Sequence, residues 1–339
     1  MFRIDGHVHF PADHPEALAV VEELDLLMLN IAIGKESYEG TRKIIDLYRE
    51  LSQGNPDRFA WCTAFSPYGI EEPGYADRVI ATLEQDVEDG AVACKIWKNV
   101  GMEIRDSRGA YVMPDHEAYQ PIYRHLEQRG IPLLAHTAEP LACWLPISTP
   151  SPHQGYYSRN PQWHMYGRAD FPSHETILAA RDRVIERYPD LKVIGAHLGS
   201  MEHDLDEVMK RFDRYPNFAI DTSARTADLG MHAPEKVREM FLKYPDRIIY
   251  GTDVAQHDLF YSQADPEERN RRLLAYRKCF ELDTAFFESD AELEIKGIRT
   301  RGIHLPPAIL EQLYMDNALK WYPALQKSFA VLGTEKSSF

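Results

Sequence analysis

One punctuation recurs along this chain and restricts its architecture more than any composition figure. Asn55-Pro56-Asp57, Tyr188-Pro189-Asp190, Tyr215-Pro216-Asn217 and Tyr244-Pro245-Asp246 each close a helix-like run just before a short apolar run. Proline cannot continue a helix and pushes the residue before it toward extended backbone. Asp89-Gly90 and Arg129-Gly130 give the glycine form of the same stop. A helix-to-strand unit therefore repeats. Strand-like runs occupy 2–10, 25–33, 59–65, 91–97, 131–136, 192–197, 218–222 and 247–251. Helix-like segments fill 16–24, 41–53, 75–88, 116–128, 174–188, 201–215 and 235–244, with Ile44, Ile45, Leu47, Tyr48 and Leu51 at helical spacing. Eight strands alternating with helices predict a parallel α/β architecture, and closing eight such units gives a (β/α)8 TIM barrel of about 250 residues. The chain has 339 residues, so the surplus is expected in insertions at 139–172, after strand five, and 254–301, after strand eight. One domain, 1–325, with a tail at 326–339 is the expected organisation. Both insertions follow strand C-termini, the end where such barrels place active sites. An open doubly wound sheet is the alternative, but no glycine-rich phosphate loop follows the first run.

Polar residues end several of these apolar runs. In Ile4-Asp5-Gly6-His7-Val8-His9-Phe10, regular alternation puts Asp5, His7 and His9 on one face of a strand. Two imidazoles side by side on a strand suit a divalent metal. Lys95 lies in run four, His136 ends run five, His197 ends run six and Asp253 follows run eight. In a closed barrel these ends converge on one mouth. Each residue also has an ordinary reading. His136 and His197 would serve as core histidines bonded to backbone carbonyls, Asp253 as a helix cap, and Lys95 as a snorkelling surface lysine.

The ordered set resembles the amidohydrolase superfamily of metal-dependent barrel enzymes. Gly195-Ala196-His197-Leu198-Gly199 and Tyr250-Gly251-Thr252-Asp253 are similar to its branch of amidohydrolase-related proteins and aminocarboxymuconate-semialdehyde decarboxylase. Asp316-Asn317-Ala318 beside Trp321 resembles that branch's C-terminal signature. The resemblance implies that His7, His9, His136 and Asp253 hold a metal. It implies a catalytic Asp253, taking a proton from metal-bound water, and a catalytic His197 as acid/base or polarising group. One Zn2+ is expected, with Mn2+ and Fe2+ open on the same ligands. Lys95 is assigned to a second metal or to substrate. Zinc lowers the pKa of bound water from about 15.7 to about 7, which suits hydroxide chemistry at neutral pH.

The remaining sequence narrows the partners. The formal net charge is −15, which disfavours nucleic acid, and Arg271-Arg272 reads as a solvated helix face. No apolar run is long enough for a membrane span, and four scattered cysteines fit a reducing compartment, so a cytoplasmic protein is expected. The insertion after strand five carries Trp144, His153, Tyr156, Tyr157, Arg159, Trp163, His164, Tyr166 and Arg168. It reads either as a lid, with Trp163, His164 and Arg168 on substrate, or as a self-packed Ω-loop or subunit interface. Arg225, after strand seven, reads as a clamp for a substrate carboxylate or as the partner of a surface acid. His174, His203 and His257 follow elements on the active-site side. A homodimer is expected.

Two reactions fit one residue set. The leading expectation is a metal-dependent hydrolase, in which metal-activated water attacks the carbonyl of an amide, lactone or related bond in a small molecule. The alternative is a lyase: non-oxidative decarboxylation or hydration of an unsaturated or aromatic carboxylic acid. A TatD-type nuclease, which usually has glutamate where Lys95 stands, and a non-catalytic metal-binding protein are the remaining readings.

Overall fold

The computed structural model describes residues 2–34, 37–254 and 264–326. Its centre is one eight-stranded parallel sheet in the order β1-β2-β3-β4-β5-β6-β7-β8. The strands are β1 Arg3–Val8, β2 Leu26–Ile31, β3 Phe59–Ala64, β4 Cys94–Ile96, β5 Leu133–Ala135, β6 Val193–Gly195, β7 Phe218–Asp221 and β8 Ile248–Ile249. Each lies inside one of the eight apolar runs. Backbone bonds from Gly6 N to Tyr250 O (2.9 Å), Asp253 N to His7 O (2.8 Å) and His9 N to Val254 O (2.9 Å) join the last strand to the first. The architecture is a (β/α)8 TIM barrel.

The connecting helices are α1 Pro15–Glu23, α2 Tyr38–Gly54, α3 Tyr75–Glu88, α4 Gln120–Arg129, α5 His174–Arg187, α6 Leu205–Arg214, α7 Pro234–Lys243 and α8 Pro266–Glu288. Several begin at side-chain caps. Ser37 accepts from Gly40 N, Ser173 from Thr176 N, and Asp204 from the amides of Asp206 and Glu207. Such a cap contributes about 1 kcal/mol. Among the described residues, no helix is long and apolar enough to cross a membrane.

Alternation along the strands separates two apolar layers. Ile4, Leu27, Leu29, Cys62, Leu134, Ile194, Ala219 and Ile249 pack together inside the barrel. Leu26, Met28, Phe59, Cys94, Leu133, Val193, Phe218 and Ile248 face outward, against the helices. Trp321, Tyr322 and Leu325 join the inner layer. They close the barrel's floor: Trp321 Nε1 donates to Asp246 O (2.8 Å), and Asn317 Nδ2 donates to Pro245 O (2.8 Å) and Ile248 O (2.7 Å), all at the start of β8.

The first strand departs from regular alternation, and this corrects the expectation that Asp5, His7 and His9 share a face. Ile4 belongs to the inner layer and Val8 to the outer one, although four residues should return a strand to the same face. The pairing with β2 shifts register between Asp5 and Val8. A bulge therefore flips the pattern. Asp5 falls on the outer side, close enough to Asp283 of α8 to feel its charge, while His7 and His9 turn into the mouth.

Candidate metal centre and active site

His7, His9 and Asp253 offer three ligand atoms that all lie within 4.8 Å of one another. His9 Nε2 stands 3.4 Å and His7 Nε2 3.9 Å from Asp253 Oδ1. Two ligands about 2.1 Å from a tetrahedral centre are about 3.4 Å apart, so the spacing suits a divalent ion. Asp253 reaches this position through left-handed backbone, with φ of 55°. Asp5 supports that turn from behind: its carboxylate accepts from Thr252 N (3.0 Å) and Thr252 Oγ1 (2.7 Å). Burial raises the Asp5 carboxyl to about 7, against the pull of those hydrogen bonds.

The donor chemistry also suits a metal. Burial, with the charge of Lys95, pushes the His7 imidazole below its ordinary value. Burial, then His197 and Lys95, pushes His136 well below. Both shifts favour the neutral ring, whose lone pair is what coordination needs. Asp253 stays ionised: burial raises its carboxyl, but His197, His9 and His7 outweigh that and hold it well below the usual range. His136 Nε2 is buried and has no hydrogen-bond partner among the described residues, as expected of an atom reserved for a ligand. His136 is not in the three-residue group, however. Its ring meets His197 instead, with centroids 4.3 Å apart.

Lys95 is 1% exposed, so it does not snorkel outward. Its Nζ lies 3.4 Å from His7 Nε2, aimed at the lone pair a metal would take. Burial brings its ammonium down to about 8. His197 sits where the chain turns sharply after β6, with left-handed φ at His197, Leu198, Gly199 and Ser200. Its Nδ1 donates to Ser223 O (2.9 Å), and its Nε2 faces His136 Nδ1 at 3.2 Å. Burial, with Arg225 and His7 adding to it, pushes His197 well below its ordinary value, against the opposing charge of Asp253.

Asp221 organises both histidines, and sequence reasoning missed it. His7 Nδ1 donates to Asp221 Oδ2 at 2.7 Å, which fixes the tautomer that frees Nε2. Asp221 Oδ1 accepts from His197 N (2.7 Å), Ser223 N (3.1 Å) and the Ser223 hydroxyl. Burial raises its carboxyl, but His7 and His197 reverse this and hold it below the usual range. The signal was present. Asp221 ends the apolar run Phe218-Ala219-Ile220 in the same way that His136 ends run five.

Other candidates scatter. Arg225 is 5% exposed. Its NH1 donates to Ala224 O at 3.1 Å and its buried Nε has no partner among the described residues. His164 Nε2 is bonded to Leu145 O (3.0 Å), and its ring stacks on Tyr157. Arg168 is exposed, donates to Pro161 O (3.1 Å) and lies over Phe171. These two side chains thus engage the segment that carries them, whose backbone carbonyls need donors, rather than the histidine group. Trp163 packs edge-on against Trp97 beside the end of β4. His174 is buried and bonded to Ser200 O, and His203 lies beside Glu202. His257, with 255–263 of the second insertion, lies outside the described residues.

A barrel with a histidine–aspartate mouth of this kind defines a class, and the sequence places the chain in it. Residues 4–324 match the family described as amidohydrolase, and the chain belongs to that family, one of enzymes with metal-dependent members. The fold is similar to several solved structures. 2,6-Dihydroxybenzoate decarboxylase from Rhizobium is 15% identical, with a TM-score of 0.56 over 95% of this chain and 99% of that one. 5-Carboxyvanillate decarboxylase from Sphingomonas paucimobilis is 16% identical, with a TM-score of 0.50 over 91% and 82%. 4-Oxalomesaconate hydratase from Rhodopseudomonas palustris is 15% identical, with a TM-score of 0.53 over 99% and 100%. A comparison with curated protein sequences finds no match.

Proposed function

We propose that this chain is a metal-dependent lyase that removes carbon dioxide, without oxidation, from an unsaturated or aromatic carboxylic acid. This reverses the leading expectation from sequence, which was hydrolysis. Arg225 carries the proposal. Its guanidinium is buried, no carboxylate lies within ion-pair distance of it among the described residues, and its charge reaches His136, His197 and the buried Glu202. A buried cation with no acid in direct contact is costly to hold. A substrate carboxylate would remove that cost and bind in bidentate fashion. Hydrolysis gives Arg225 such a partner only where the amide or lactone itself carries a carboxylate. The similar folds of two decarboxylases and a hydratase support the reading.

A divalent ion bound by His7, His9, Asp253 and His136 would supply Lewis-acid polarisation of a substrate oxygen. Arg225 would orient the acid. His197 would manage the proton: Ser223 O holds its Nδ1–H, and Nε2, which faces His136 Nδ1 at 3.2 Å, would leave that contact to exchange it. Burial makes a protonated His197 a strong acid, and a substrate anion nearby would favour its charging. The proton on Nε2 passes to the carbon that bore the carboxylate. The C–C bonding pair stays on that carbon, carbon dioxide leaves, and solvent reprotonates His197. The test is carbon dioxide release by the metal-loaded protein from a panel of aromatic and unsaturated acids that includes 2,6-dihydroxybenzoate. Arg225→Lys should raise KM by about tenfold or more with a smaller change in kcat. Turnover of amides or lactones with no release of carbon dioxide from any acid would end the proposal.

A further inference from the structure

Lys98 and Glu139 form an ion pair that the chemistry above does not use. Both are almost wholly buried, 4% and 5% exposed. Lys98 stands two residues beyond β4, and Glu139 opens the segment 139–172. Every N–H direction of the Lys98 ammonium already has a neighbour. One meets Glu139, one donates to Tyr156 Oη (3.0 Å), and the ring of Trp163 covers the nitrogen with its centroid 4.3 Å away. Glu139 Oε2 in turn accepts from Tyr157 Oη at 3.2 Å. The groups around Lys98 thus come from both short helical pieces of the segment, Gln154–Arg159 and Pro161–Trp163. The ammonium is also near enough to Asp253, Arg225 and His136 for their charges to interact. A cavity of about 490 Å³ abuts this arrangement, lined by Trp97, Trp163, Tyr111, Phe171 and Met102 among others.

A buried ion pair gives little net stability compared with apolar side chains of the same volume, and its attested use is to fix one geometry. We infer that Lys98 is a positioning residue: paired with Glu139, it seats the aromatic wall of segment 139–172 over the barrel mouth. The segment is then a lid whose hinge-side anchor is strand four, and Trp163 is its inner wall. Lys98 is fully engaged by lid groups, so recognition of the substrate acid is left to Arg225. That last step rests on the proposed lyase reading; the seating of the lid does not.

The experiment is amide hydrogen exchange on the metal-loaded full chain, read without substrate. Lys98→Met combined with Glu139→Leu removes both charges, so no unpaired ion is left buried to unfold the protein. Amides of 139–165 should exchange about tenfold faster or more, while those of β1–β8 stay within about twofold and metal content is unchanged. Lys98→Arg alone, which keeps the charge, should restore lid protection to within about threefold of the original chain. Unchanged lid exchange in the double variant, or equal acceleration of lid and barrel, overturns the inference. Because no substrate enters, failure here is distinct from failure of the carbon dioxide assay.

Discussion

His7 and Arg168 are both candidate site residues, and their surroundings differ in kind. His7 is fully buried on a strand, its backbone bonded to the turn of Asp253 and its ring bonded to Asp221. Arg168 is exposed on a segment that satisfies its own carbonyls. Strand ends hold side chains through neighbouring strands, which cannot move independently. The segment 139–172 touches the mouth through a few side chains, chiefly Glu139, His153, Tyr156 and Trp163. Chemistry should therefore fail sharply when strand-end residues change and gradually when segment residues change.

The sharpest break should come from Asp253→Ala. It removes one of three clustered ligands, so metal content should fall below about a tenth of the original by elemental analysis, and turnover should fall by about a thousandfold or more. Next comes His197→Ala, which should keep its metal yet slow turnover by about a hundredfold or more; equal metal loss in His197→Ala and His136→Ala would mean that His197 is a ligand too. Asp221→Asn should weaken metal affinity by about 10- to 100-fold, measured by chelator competition, because the His7 tautomer is no longer fixed. Thr252→Val should act in the same direction and by less, since one of the two bonds from Asp5 survives at the backbone. The smallest effect belongs to Arg168→Ala, within about twofold on kcat/KM. A tenfold loss there would place Arg168 on substrate and erase the contrast between the two regions.

The barrel was legible because its punctuation is local. Proline and glycine stops and apolar runs act through neighbours in the chain, and all eight runs contain a strand. His7, His9 and Asp253 were legible for a related reason: a polar residue at the end of an apolar run stands out in one dimension. Asp5 was misread because alternation assumes a regular strand, and a bulge between Asp5 and Val8 reversed it. Asp221 obeyed the rule that revealed the histidines, but carboxylates often end strands as caps or turn residues, so it drew no notice. Lys98 and Glu139 carried no signal. They are 41 residues apart, and their types are those of solvated loop residues.

The sequence by itself determined the order of strands and helices, the barrel they close into and three of the residues that could grip a metal, because backbone stops and hydrophobic periodicity are short-range. Only the tertiary structure decided which faces those residues occupy, that Asp221 and Thr252 hold them there, and that Arg225 lies buried with no ion-paired acid among the described residues. Those facts depend on desolvation and on hydrogen bonds between strands far apart in the chain, and neither exists until the barrel has closed.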